Sequence, residues 1–146
     1  MGTSCRIEIY SHQWHHPDCT DPNYIMRRIF AYKWMDSHII NVVRDMWDLQ
    51  REAYEDLFGS DTVIIAHSLF ERGYQTHFDV FNTKTQKYES SDCFDYVYEL
   101  NVYETKSHDR KPNWSLKIRN GCLDDKVLLE ETKLENIKVR DIKNMY

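Results

Sequence analysis

A chain of 146 residues with a formal net charge of −5 fits one domain, residues 1–146, built around one hydrophobic core. The acidic balance argues against a general electrostatic attraction to nucleic acid, and no stretch approaches the roughly twenty apolar residues of a membrane span. Aromatic residues are unusually frequent, at 14%. Because rings dominate both cores and interfaces, this surplus hints at a partner surface.

The cysteines indicate the compartment. Cys5, Cys19, Cys93 and Cys122 are widely spaced and form no CxxC pair, and the first residues lack the apolar stretch of a signal peptide. Free thiols are typical of a reducing environment. We therefore expect an intracellular protein, cytoplasmic or nuclear, without disulfides.

The first third of the chain predicts a strand and a long helix. Residues Cys5–Ser11 alternate between apolar and polar, which indicates a half-buried strand, and a histidine-rich loop follows over His12–Thr20. Asp21-Pro22 is a typical helix start. Apolar residues then recur at spacings of three and four, at Ile25, Ile29, Tyr32, Met35, Ile39, Val42, Met46, Leu49, Ala53 and Leu57. This pattern predicts an amphipathic helix over Pro22–Phe58, ended by Gly59, which Asp36-Ser37 could divide in two.

The pattern in the rest of the chain predicts mainly strands. The β-branched run Thr62–Phe70 predicts a buried strand, with His67 as a hydrogen-bonded core residue, and Glu71-Arg72-Gly73 predicts a turn. Further strands are predicted at 74–80, 87–91, 94–102 and 114–119, with turns at 82–85 and Asn120-Gly121. Val127–Leu134 looks helical, whereas the pattern around Ile137 and Val139 fits a strand or a helix.

These elements predict an α+β fold. One long amphipathic helix packs against a curved antiparallel sheet in a roll-like arrangement, and a short helix ends the chain. Such a layout buries the apolar stripe of the helix and the apolar face of the sheet together.

The histidine-rich loop is the densest group of possible metal ligands. His12, His15, His16 and Cys19, with Cys5 on the preceding strand, show the two-residue gaps that are common in zinc knuckles. The first four, however, lie within eight residues, and one short loop cannot easily surround an ion. A solvated polar loop is the competing interpretation, and we expect no metal and no cofactor.

The sequence contains one possible acid–base group and otherwise little that indicates catalysis. His77 and Asp79 share one strand face and could meet Asp95 or Glu99, which would provide acid–base chemistry. The same residues fit the solvated half of a two-sided strand. Since no nucleophile, phosphate-loop or dinucleotide motif is present, we assign no catalytic residue and favour a protein that is not an enzyme.

A basic patch interrupts the acidic balance. It comprises Lys106, Arg110, Lys111, Lys117 and Arg119 around Trp114, and nucleic-acid binding there is one interpretation. The acidic remainder of the chain favours a solvated loop and the outer face of a strand instead.

The leading functional hypothesis is a non-catalytic protein–protein interaction module that self-associates as a homodimer. Its contact surface would be an aromatic sheet face or the helix flank, with Trp14, Val97 and Tyr103 as the partner-binding residues. The alternative is a small-ligand-binding protein or enzyme of the roll type, with a pocket between helix and sheet.

Overall fold

The structure is a computed structural model that describes residues 3–12, 25–56, 59, 61–77, 80–82, 87–89, 94–103, 111–121 and 126–145. Several predictions fall outside these residues. They concern the histidine-rich loop beyond His12, the helix start at Asp21-Pro22, most of the loop 106–113 and the partner residue Trp14.

The described residues form strands and helices in a mixed order. They are β1 (Cys5–His12), β2 (Ile25–Lys33), α1 (Ile39–Glu55), α2 (Thr62–Glu71), β3 (Gln75–His77), β4 (Val80–Asn82), β5 (Lys87–Glu89), β6 (Tyr96–Tyr103), β7 (Asn113–Asn120), β8 (Val127–Lys133) and α3 (Val139–Lys143). A 3₁₀ turn over Leu134–Asn136 follows β8. The α+β class and the short C-terminal helix are confirmed.

Six of these strands form one mixed sheet in the order β3-β2-β1-β6-β7-β8, while β4 and β5 pair separately. β1 runs antiparallel to β2 but parallel to β6, and His12 lies opposite Tyr103 at the shared carboxyl end. Parallel neighbours need a long crossover, and the chain between β1 and β6 contains both α1 and α2. The prediction of an antiparallel sheet is therefore wrong for the central pair.

One hydrophobic core contains residues of the sheet and of the helices. Val42 and Leu49 of α1 are fully buried in it, as are Ile7 of β1 and Leu100 of β6. The alternation predicted for β1, β6 and β7 is confirmed, since every second residue of these strands belongs to this core. No helix in the described part of the chain is both long and apolar enough to cross a membrane.

The predicted helix over Pro22–Phe58 is wrong in its first half. Residues Ile25–Lys33 form β2, and the helix is limited to the 17 residues of α1. Apolar spacing over so short a stretch fits a strand as well, with Ile29 and Ala31 facing the core, and β1 provides an edge to pair with. The sheet is open, so the roll-like arrangement around a long helix is not confirmed.

The break between β2 and α1 falls where Asp36-Ser37 could divide the pattern. Asp36 adopts a positive φ of 59°, a conformation that a helix does not accommodate. Ser37 is fully buried, and its hydroxyl donates to the carbonyls of Lys33 and Met35 at 3.3 Å. These bonds stabilise the turn that redirects the chain into α1.

Thr62–Phe70 is helical rather than extended, which corrects the second prediction. The Asp61 side chain accepts hydrogen bonds from the backbone amides of Val63 and Ile64, at 3.0 and 3.2 Å, and so caps α2. An apolar run without clear periodicity cannot distinguish a strand from a buried helix. The predicted turn after it is confirmed, because Gly73 adopts a φ of 92° there.

The C-terminal region corrects a third prediction. Val127–Lys133 forms the edge strand β8 rather than a helix, paired with β7 through two irregularities in register. Pairing with the available edge of β7 satisfies backbone groups that a helix would have satisfied internally. The ambiguous segment that follows is α3, whose Ile142 is buried.

Candidate functional site

The outer side of α2 carries large apolar side chains at the surface. Val63, Ile64 and Phe70 are 53%, 41% and 60% exposed, whereas Ile65 and Leu69 on the other side are fully buried. We call the exposed side chains of Val63, Ile64, His67 and Phe70 the α2 surface. His67 was expected in the core, but its side chain is exposed and lies 3.3 Å from Glu71.

More apolar surface lies at the end of β2. Trp34 is 48% exposed and Met35 is 61% exposed. The Trp34 ring stacks on Phe94 with 5.1 Å between centroids and meets the edge of Tyr32 at 5.7 Å. This aromatic cluster was not among the predicted contact residues.

The end of β2 lies beside the carboxyl end of α2. The Lys33 ammonium lies 4.9 Å from the centroid of the Tyr74 ring, and the Tyr74 amide donates to the carbonyl of Leu69 at 3.1 Å. Trp34 and Met35 follow Lys33 directly in the chain. The segment that carries Trp34 and Met35 therefore begins close to the carboxyl end of α2.

The sheet face predicted to contact a partner carries an ion-pair network around Val97. Glu8 on β1 accepts a hydrogen bond from Arg119 at 3.0 Å, and Arg119 also lies 3.5 Å from Glu99. Val97, which lies opposite Arg119 in register, is only 6% exposed, so its side chain offers little area to a partner. The partner-binding role of Val97 stays a prediction that this burial weakens.

Tyr103, the other described partner residue, belongs to a cluster at the carboxyl ends of β1 and β6. Its ring stacks on His12 with 4.5 Å between centroids and 18° between planes. The Tyr103 hydroxyl donates to the Glu131 carboxylate at 2.6 Å, and Ser115 donates to the same oxygen at 2.5 Å. His12 Nε2 hydrogen-bonds to Asn101 Oδ1 at 2.8 Å. We call these five residues the His12 cluster.

The charges of the His12 cluster follow from these bonds. Partial burial, the hydrogen bond to Glu131 and the Glu131 charge raise the pKa of Tyr103 to about 12. Burial acts to raise the pKa of Glu131, but the hydrogen bonds from Ser115 and Tyr103 and the attraction of His12 and Lys117 outweigh it and lower that pKa. At neutral pH the cluster therefore pairs a neutral phenol with a carboxylate anion.

The two candidate zinc ligands that the structure describes do not come together on β1. Cys5 and His12 are at opposite ends of this strand, about 23 Å apart at the usual rise per residue. Cys5 is fully buried, and desolvation raises the pKa of its thiol to about 11, which disfavours the thiolate that zinc needs. Within the described residues, no group of three or more His, Cys, Asp or Glu could hold a metal ion. His15, His16 and Cys19 lie outside those residues.

The candidate acid–base group is not assembled by the described residues. His77 lies in β3, opposite Phe30, and Asp79 is outside the described part of the chain. Asp95 accepts hydrogen bonds from the amide and the hydroxyl of Ser4, at 2.8 and 3.1 Å. Glu99 is paired with Arg119. Both carboxylates are therefore engaged in contacts that stabilise the sheet.

The basic patch does not present an exposed ring. Trp114 is fully buried, and its Nε1 donates to the carbonyl of Gly59 at 2.5 Å. Arg119 is paired with two glutamates. Stacking of a nucleotide base on Trp114 would require the ring to leave the core, and this weakens the nucleic-acid interpretation further.

A groove of about 430 Å³ runs along the flank of α1. It is lined by Trp47, Gln50, Arg51, Tyr54, Lys111, Pro112 and Glu135. The alternative hypothesis places a pocket between helix and sheet. The groove lies elsewhere, and the core residues between α1 and the sheet, such as Met46 and Leu49, are fully buried.

Comparisons of this chain with protein-family models, with curated proteins and with solved structures found no match.

Proposed function

We propose that this domain is a non-catalytic protein–protein interaction module that self-associates through the α2 surface. One observation carries the proposal: Val63, Ile64 and Phe70 expose large apolar side chains along a helix whose other side is buried in the core. Exposed apolar side chains grouped on one face of a helix are typical of interaction sites.

A second copy of the chain is a suitable occupant of this surface. Symmetric dimers use the same patch on both subunits. In an antiparallel arrangement of two α2 helices, Val63 and Ile64 of one copy would lie beside Phe70 of the other. His67, near the middle of the helix, would then lie close to the twofold axis, within reach of the partner's Glu71.

The arrangement of the rest of the molecule also supports an interaction function. The space between α1 and the sheet is filled by side chains such as Met46, Leu49 and Ile9, which leaves this interior to packing. The sheet face around Val97 is occupied by ion pairs. The proposal therefore moves the contact from the predicted sheet face to α2.

Cross-linking at the proposed twofold axis tests this arrangement. The variant His67→Cys should form a disulfide-linked dimer under mild oxidation, faster than the wild type, because the two thiols approach each other across the axis. Val139→Cys, at another exposed apolar position, is the matched control. Equal rates for the two variants would contradict the α2 contact, and the wild type reports any cross-linking through the native cysteines.

A further inference from the structure

The carboxyl ends of β1 and β6 meet at one edge of the sheet. These strands are parallel neighbours, whereas every other strand pair described in the sheet is antiparallel. The chain continues from β1 to β2 on one side and from β6 to β7 on the other side. The two connections therefore leave the last residues of β1 and β6 side by side at this edge.

His12 and Tyr103, the last residues of the two strands, face each other at this edge. The His12 residue is 9% exposed, and its Nε2 bonds to Asn101 Oδ1. An amide oxygen can only accept, so Nε2 donates this bond, and a ring that carries this one proton presents a lone pair at Nδ1. Nδ1 is buried and has no hydrogen-bond partner among the described residues.

This unsatisfied nitrogen points to a missing donor. Buried polar atoms in folded proteins almost always have a partner, and the exceptions often have a functional reason. Asn101 fixes the ring from one side and Tyr103 supports its face, so the lone pair is held in a defined orientation. A group that donates a hydrogen bond to Nδ1 would satisfy the remaining polar atom of the His12 ring.

Glu131 adds negative charge to the same cluster. Its Oε1 accepts both the Tyr103 and the Ser115 hydroxyl protons, which leaves Oε2 for a further donor. Lys117 and His12 are the charged or titratable groups that act on this carboxylate. Lys117 is partly exposed. The cluster thus offers a neutral acceptor and an anionic acceptor.

We propose that the His12 cluster binds the ammonium group of a small primary amine. One ammonium proton is donated to His12 Nδ1, and the Glu131 carboxylate accepts a second and balances the charge. A metal ion is a poorer fit, because the described residues supply no group of three ligands. This site is separate from the α2 surface, so neither proposal depends on the other.

Calorimetric titration at pH 8 with propylamine, propanol and propionate tests the proposal. Propylamine should bind saturably and shift the His12 Nδ1 resonance in nitrogen-15 spectra, while propionate should do neither. Glu131→Gln should weaken binding at least about tenfold, because a charge-assisted hydrogen bond is lost. Glu130→Gln, at the exposed neighbouring position, is the matched control and should bind like the wild type.

Absence of saturable propylamine binding, binding of propionate with equal affinity, or equal affinity of the two glutamine variants would overturn the assignment. If Glu131→Gln does not fold, His12→Phe retains an aromatic ring against Tyr103 and removes the acceptor, and it should abolish the binding heat. Doubly capped lysine distinguishes the source of the amine. If it binds and propylamine does not, the ligand is a lysine side chain and the assignment to a small primary amine is wrong.

Discussion

Arg72, which follows the last residue of α2, donates a 2.6 Å hydrogen bond to the Glu52 carboxylate of α1. The same guanidinium donates to the carbonyl of Ser68 at 3.1 Å, and the Ser68 hydroxyl donates to Glu52 at 3.4 Å. These bonds connect the two helices. They help to hold α2 in the orientation that places Val63 and Phe70 at the surface.

Replacing Arg72 with Met should lower the free energy of unfolding by about 1–2 kcal/mol, since the partly buried Glu52 loses a charged donor. Urea denaturation measures this change. Arg51→Met is the control, because Arg51 is largely exposed and its pair with Asp48 should contribute less than about 0.5 kcal/mol. Equal effects of the two substitutions would show that the contact between α1 and α2 has no special role in stability.

Gly121→Ala should destabilise the sheet end by about 1–3 kcal/mol, because a Cβ there would overlap the backbone carbonyl of Phe94. The Gly121 amide donates to the Asp95 carbonyl at 3.0 Å, so the backbone cannot move away without losing this bond. Gly59→Ala provides the comparison, since its nearest neighbour, Pro112, would lie at 3.9 Å. The unfolding temperatures of both variants measure this difference. If Gly121→Ala is as stable as Gly59→Ala, the backbone at Gly121 does not lie so close to the Phe94 carbonyl.

Glu131 should make stability depend on pH in the acidic range. Its pKa in the folded protein is lowered from the ordinary 4.5, so its contribution is complete above 4.5 and is lost as the pH falls through the lowered value. The stability difference between the wild type and Glu131→Gln should therefore shrink from pH 7 towards acidic pH. Glu130→Gln, at the exposed neighbouring position, is the control and should change the stability less than Glu131→Gln at pH 7. A difference for Glu131→Gln that does not change with pH would mean that its hydrogen bonds contribute nothing to stability.

The strands with strict alternation were predictable from the sequence. In β1, β6 and β7 a two-residue period separates buried residues such as Ile9 and Leu116 from polar neighbours, and a helix does not produce this period. The α+β class follows from these strands and from the buried stripe of α1. Local pattern was enough for these elements because each has one buried face.

The predicted secondary structure is wrong for elements whose conformation depends on long-range contacts. β2 has helical spacing but pairs with β1, and β8 has helix-forming residues but pairs with β7. α2 is rich in β-branched residues and is nevertheless helical, with its start capped by Asp61. Val63, His67 and Phe70 are spaced by four and three residues, a signal for one helix face that the strand interpretation concealed.

The candidate sites were less predictable than the fold. Tyr103 was singled out by its ring alone, whereas its contacts with His12 and Glu131 depend on the parallel pairing of β1 and β6. No local pattern encodes that pairing, because it joins residues from distant parts of the chain, such as His12 and Tyr103. Glu131 was missed for the same reason, since a helix over Val127–Leu134 would not have brought it to the sheet face.

Sedimentation of the wild type and of Phe70→Ser under reducing conditions tests self-association through the α2 surface most directly. The wild type should sediment with a mass well above 17.7 kDa in the micromolar range, and Phe70→Ser should approach 17.7 kDa while retaining its circular dichroism. Val139→Ser, which removes an exposed apolar side chain outside α2, should sediment like the wild type. A wild type that stays at 17.7 kDa at every concentration, or a Phe70→Ser protein that associates as strongly as Val139→Ser, would contradict the proposal.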